Sequence, residues 1–165
     1  GCKFKVMMLA KTIRFDKSDL NVFETASEEG EWAISGAFEF SNDTSNSLKG
    51  KRKQSFVNGF LGLESYGRST LVSISAIDQK NKALLSKKLA NYFIEKYSAP
   101  NFEAANSVAE EEINFMIDLC SNHQLGTLLA VKRTFEDDGI HEKFSHLPKQ
   151  DACSNQKIWT TVSDD

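Results

Sequence analysis

The stretch Gly59–Ile77, "GFLGLESYGRSTLVSISAI", decides the class of fold, because the hydrophobic period changes inside it. From about Lys49 to Leu63, Phe56, Val57, Phe60 and Leu61 fall on one helical stripe. From Ser69 onward "STLVSISAI" is rich in β-branched residues and sets Val72, Ile74 and Ala76 on one side of a strand. The order is helix, turn, strand, with Gly67 where the helix would stop. That order bears on chemistry too. A nucleophile elbow needs Gly-x-Ser-x-Gly on a strand-to-helix turn. Here Ser65 has Gly67 two residues after it but Leu63 two before, and the turn runs the opposite way. Gly59, Gly62 and Gly67 therefore read as helix termination and close backbone packing. No Gly-x-Gly-x-x-Gly and no phosphate loop ending in Lys-Ser/Thr follows a strand.

Working toward the N-terminus, Trp32 to Phe40 alternates apolar and small or polar residues, the cleanest two-residue period in the chain. Phe4 to Phe15 reads as another strand, closed by "DKSD", and "LNVFE" as a short partner. The polar run "SNDTSNS" is a surface loop. Toward the C-terminus, Asp78 can cap a helix carrying Leu85, Leu89, Tyr92 and Phe93, which "SAP" breaks. A second long helix runs from Phe102 to about Cys120, with Glu110, Glu111 and Glu112 facing largely outward. Asp138-Gly139 between "TLLAVKRTF" and "IHEKFSHL" signals a tight hairpin. "KIWTTV" can add an edge strand. The order β-β-β-α-β-α-α-β-β predicts one α+β domain over 1–165, a mainly antiparallel sheet with about three helices packed on it. Residues 1–6 read as a remnant, with the natural start upstream or at Met7 or Met8.

The 165 residues are enough for one packed core, and 40% are hydrophobic, including twelve Phe. A net charge of −3 argues against nucleic acid and anionic membrane as partners. The basic run "KGKRK", Lys49 to Lys53, has no aromatic interleaving and reads as a solvated helix entry. No apolar run reaches membrane-spanning length. Cys2, Cys120 and Cys153 lack the paired spacing of a disulfide framework, which favours a cytoplasmic protein. Cys120, His123, His141, His146 and Cys153 do not converge in spacing as zinc ligands do, so neither metal nor cofactor is expected. Cys120 at a helix C-terminus lacks the electropositive surroundings of a nucleophilic thiolate.

The segments "KTIRFDKSDLNVFE", "GEWAISGAFEF", "GFLGLESYGRST" and "GTLLAVKR" together resemble a family of small alphaproteobacterial proteins that forms an uncharacterised domain family. The resemblance touches most of Lys11 to Arg133, and it implies a natural start near Met7 or Met8 and a variable tail over 148–165. It implies a bacterial cytoplasmic protein and no particular reaction.

Two functional expectations follow. The first is a non-catalytic binding or accessory protein that engages a protein partner or a second copy of itself, with Trp32, Tyr66 and Arg68 as interface residues of the types that dominate protein contacts. The second is a small-molecule site, enzymatic or not, beside the Gly59–Thr70 turn. There Ser65 and Tyr66 would hydrogen-bond a ligand, Arg68 would pair a small anion, and Glu64 would be the nearest base.

Overall fold

A computed structural model describes residues 6–13, 22–147 and 162–163. Its strands are β1 (Met8–Ile13), β2 (Trp32–Ile34), β3 (Phe60–Gly62), β4 (Arg68–Ser69), β5 (Leu71–Ala76), β6 (Leu128–Glu136), β7 (Gly139–Leu147) and β8 (Val162–Ser163). The helices are α1 (Gly50–Asn58), α2 (Gln79–Tyr97) and α3 (Phe102–Cys120), with a 3-10 turn at Ala37–Phe40. The strands form one antiparallel sheet in the order β4-β3-β2-β1-β5-β6-β7-β8. The fold is α+β, with the helices packed on the sheet.

The sheet curls. Phe60 on β3 and Phe144 on β7 have four strands between them in the ladder, yet their ring centroids are 6.2 Å apart. α2 and α3 form an antiparallel pair, and α3 lies over β1 and β2. Their inward stripes bury Leu89, Phe93, Ile113 and Met116, each contributing about 1.5–3 kcal/mol. Both helices start on a polar cap: Asp78 accepts from the Asn81 N–H and Asn101 from the Ala104 N–H, each at 2.8 Å. α1 packs separately on β6, where Phe56 stacks on Phe135 at 4.3 Å and joins Phe40 and Leu48 in a small second core.

Several boundaries differ from the sequence reading. The long strand expected over Trp32–Phe40 ends at Ile34. Gly36 adopts φ 75°, and the carbonyls of Ser35 and Gly36 are taken by arginine side chains instead of a neighbouring strand. The helix expected to reach Leu63 stops at Gly59, and Phe60 and Leu61 belong to β3. Their helical spacing is equally that of a short strand buried on both faces, which periodicity cannot separate. "LNVFE" contributes no strand from Val22 onward; Leu20 and Asn21 lie outside the described residues. The hairpin turns on Asp137 and Asp138, with Gly139 at φ 127° already paired to Glu136. β1 is described from Met8, within the expected Phe4–Phe15. Of "KIWTTV" only Val162 lies within the described residues, in β8.

Candidate functional site

The Gly62–Gly67 turn is organised by a carboxylate that the sequence did not single out. Glu31, just before β2, is 4% exposed. Its Oε1 accepts from the backbone N–H groups of Glu64 (2.9 Å) and Ser65 (2.8 Å), and its Oε2 from the Ser65 hydroxyl (2.6 Å) and the Glu28 N–H (2.6 Å). Burial works to raise its pKa, but the hydrogen bonds from Ser65, Glu28 and Glu64 override it and hold the carboxyl below the usual range. The glycines are there because backbone comes too close for a side chain. A Cβ on Gly67 would sit 2.6 Å from the Ala26 carbonyl, and one on Gly62 would collide with the Glu31 carboxylate. Tyr66, between them, takes the left-handed conformation at φ 58°.

Past this turn, Arg68 points inward and is 5% exposed. Its Nη1 donates to the carbonyls of Gly59 (3.0 Å) and Ser35 (3.3 Å), and its Nη2 to the Gly36 carbonyl (3.0 Å) and Glu39 Oε1 (2.8 Å). A second buried guanidinium, Arg133 of β6, donates through Nη1 to the carbonyls of Gly59 (2.9 Å) and Phe56 (2.8 Å). It also reaches the Ser35 carbonyl through Nη2 and Glu142 through Nε (2.8 Å). The two arginines thus share the carbonyls of Ser35 and Gly59. They cap the C-terminal end of α1 and tie β4 and β6 together across the mouth of the curled sheet. Burial and the positive charge of Arg133 pull the Arg68 pKa down to about 10, with Glu39 opposing.

Glu39, on the 3-10 turn, is the outer end of this network. Its Oε2 accepts from the hydroxyls of Tyr92, in a short bond, and Tyr97 (2.9 Å), both on α2, and lies 3.7 Å from Lys96 Nζ. Burial raises its pKa, but the Tyr92 hydrogen bond and the charge of Arg68 more than offset that, so the carboxyl stays below its ordinary value. Tyr66 stacks on Tyr92 at 3.8 Å and Tyr97 stands edge-on to it at 5.9 Å. Between Glu39, Tyr66, Arg68, Lys96 and Arg52 of α1 lies a cavity of about 120 Å³ open to solvent.

The residues expected from sequence are therefore distributed. Tyr66 and Arg68 line this cavity. The Ser65 hydroxyl donates to Glu31 and accepts from the Gly67 N–H (3.1 Å). Glu64 is exposed on the same turn. Trp32 is half-buried on β2 with Lys11 Nζ 4.6 Å from its ring, apart from the cavity lining. Four donors of Arg68, on which an anion was expected, are already spent on protein acceptors.

Elsewhere, His123 and His146 are half-buried with rings 4.6 Å apart. Cys120 is buried, and burial pushes its thiol up to about 12. Among the described residues no three His, Cys, Asp or Glu side chains are grouped to hold a metal ion, and no helix is long and apolar enough to cross a membrane.

Residues 7–164 match the profile of DUF6505, a family of unknown function. The chain belongs to this family. The DUF6505 match runs past Arg133, where the resemblance read from the sequence ended, through the C-terminal strand. No curated protein and no solved structure matches the chain.

Glu31, Glu39, Tyr92, Lys96, Tyr97 and Arg133 are among the residues that sequence reasoning passed over as functional candidates. Arg133 had a signal: it shares strand parity with Leu129, Val131 and Phe135 in "LLAVKRTFE", so an apolar face carries one cation. Glu39 had none, because the two-residue alternation pointed it away from the Phe38 and Phe40 side, and only the 3-10 turn brings it in.

Proposed function

We propose that this DUF6505 chain is a non-catalytic binding protein that engages a protein partner through the pocket at Glu39. The observation that carries this reading is how completely the polar groups there are used. Glu31, Glu39 and Arg68 all spend their hydrogen bonds inside the fold. A general acid or base must instead be within reach of a proton on a substrate. The cavity of about 120 Å³ is also below the roughly 300–1,000 Å³ of small-molecule sites, while one inserted side chain suits it. Its lining includes Tyr66 and Arg52, of the residue types in which binding energy concentrates.

A photo-crosslinking amino acid at Thr25, exposed on the pocket wall, tests this against the same group at Leu125, exposed on the α3–β6 connection. The expected result in the producing cell is one discrete adduct from position 25 and none from 125. Mass spectrometry then gives the partner's mass, and twice the chain mass identifies a second copy. No adduct at position 25, or the same products from both positions, would overturn the reading.

A further inference from the structure

Resting on that reading, we infer that the group the pocket recognises is a cation: the ammonium or guanidinium of a lysine or arginine side chain on the partner protein, which takes the place that Lys96 holds in the free chain.

Lys96 shows what the pocket accepts. Its Nζ lies 3.7 Å from Glu39 Oε2 and 5.5 Å from the centre of the Tyr92 ring. A carboxylate beside an aromatic face is the pairing that attracts an organic cation, and it strengthens as water is excluded. Lys96 itself is loosely held. Its side chain is 57% exposed and it stands in the last turn of α2, one residue before the helix ends. Swinging out into solvent costs such a lysine little, because an exposed ion pair contributes about 0–1 kcal/mol.

Charge decides between a cation and an anion. With Lys96 set aside, the lining carries Arg52 and Arg68 against Glu24 and Glu39, and Asp43, outside the lining, pairs with Arg52 at 2.6 Å. The balance is negative. The Tyr66 hydroxyl reports the same field: burial, then the charges of Glu95, Glu31 and Glu39, together push it up to about 12. An anion entering here would face the Glu39 carboxylate, and would find the Nη donors of Arg68 occupied by Ser35, Gly36, Gly59 and Glu39.

The test is a titration of the full chain, followed through the tyrosine ring NMR signals, with the capped tripeptides acetyl-Gly-Lys-Gly-amide and acetyl-Gly-Glu-Gly-amide. The lysine peptide should shift Tyr66, Tyr92 and Tyr97, and the glutamate peptide should not. In K96A the internal competitor is gone, so the lysine peptide should bind about 3–10-fold more tightly. K96A leaves Arg68 and both tyrosines on Glu39, so its fold should be intact and its melting temperature unchanged. Equal affinities of K96A and the unaltered chain would overturn the displacement of Lys96. A preference for the glutamate peptide would overturn the cation while leaving the pocket as the partner site. No shift with either peptide would overturn the inference, and the crosslink from Thr25 then decides separately whether the pocket reading falls with it.

Discussion

At the scale of single residues, the interior of this protein depends on two arginines where a hydrophobic core would be expected. Arg133 has no exposed side-chain area, and its donors meet carbonyls that no strand or helix partner satisfies, at Phe56, Gly59 and Ser35. Removing it is costly because the Phe56 carbonyl loses its guanidinium donor, half-buried Glu142 loses its cation, and the Ser35 and Gly59 carbonyls keep only Arg68. R133A should therefore lose about 3–5 kcal/mol in urea unfolding. R133K should recover only part of that, since an ammonium lacks the planar fork that spans α1 and β2. K132A, one residue away and exposed, should stay within about 0.5 kcal/mol of the unaltered chain. If R133A and K132A unfold at the same urea concentration, the bridge does not hold the sheet's mouth closed. The sequence displays both arginines openly, in "GRST" and "VKRTF", yet nothing local tells a buried guanidinium from a surface one. Their meeting depends on β4 and β6 being brought together by the curl, a contact across 65 residues of chain that no local period encodes.

At the scale of elements, what was legible follows from how far each signal reaches. α2, α3, β5 and the β6–β7 hairpin are set by nearest neighbours: a capping carboxylate or amide, a 3.6-residue stripe, a β-branched run and an acidic turn with glycine. These could be read in the chain to within a few residues. The segments from Ser35 to Phe40 and from Gly59 to Arg68 could not, because their backbone groups are satisfied by Arg68, Arg133 and Glu31, which arrive from elsewhere. The glycines of the turn were readable as packing residues, but their partners were not. Gly67 gives a direct test, since an added Cβ would meet the backbone carbon, oxygen and nitrogen of Ala26 and Ser27 at 2.6–2.7 Å, atoms with no rotamer to move. G67A should force β4 off the Ala26 segment, break the Arg68 N–H bond to Thr25 and lower the melting temperature by well over the ~4 °C that about 1 kcal/mol produces. G50A meets nothing within 4 Å and carries only the strain of φ 60°, so it should cost about 1 kcal/mol. Equal melting points for the two variants would mean that the close approach at Gly67 is not a constraint.

At the scale of the whole molecule, three glutamates give stability a pH dependence whose signs oppose one another. Glu31 and Glu39 are held below the ordinary glutamate value, so each contributes stability that is present above that value and is lost as pH falls through the lower folded one. Glu112 on α3 behaves in the reverse sense. Burial, then the charges of Glu142 and Glu111, push its pKa up to about 7. Its contribution is therefore complete below the ordinary glutamate value and is lost as pH rises through about 7, where a half-buried carboxylate must ionise beside two others. The melting temperature should accordingly climb as pH falls from 8 to about 5, then drop steeply below about 4 as Glu31 and Glu39 take up protons and release the Gly62–Gly67 turn and the Arg68 bridge. E112Q should remove the upper limb alone, gaining about 1–2 kcal/mol at pH 8 after solvent screening and nothing at pH 5. E31Q should flatten the acid limb, at the cost of the turn it organises. A melting temperature in the unaltered chain that is level from pH 5 to 8, or an E112Q gain that is the same at both, would show that Glu112 ionises without penalty. The seam between α3 and β7 would then be open to water rather than part of the core.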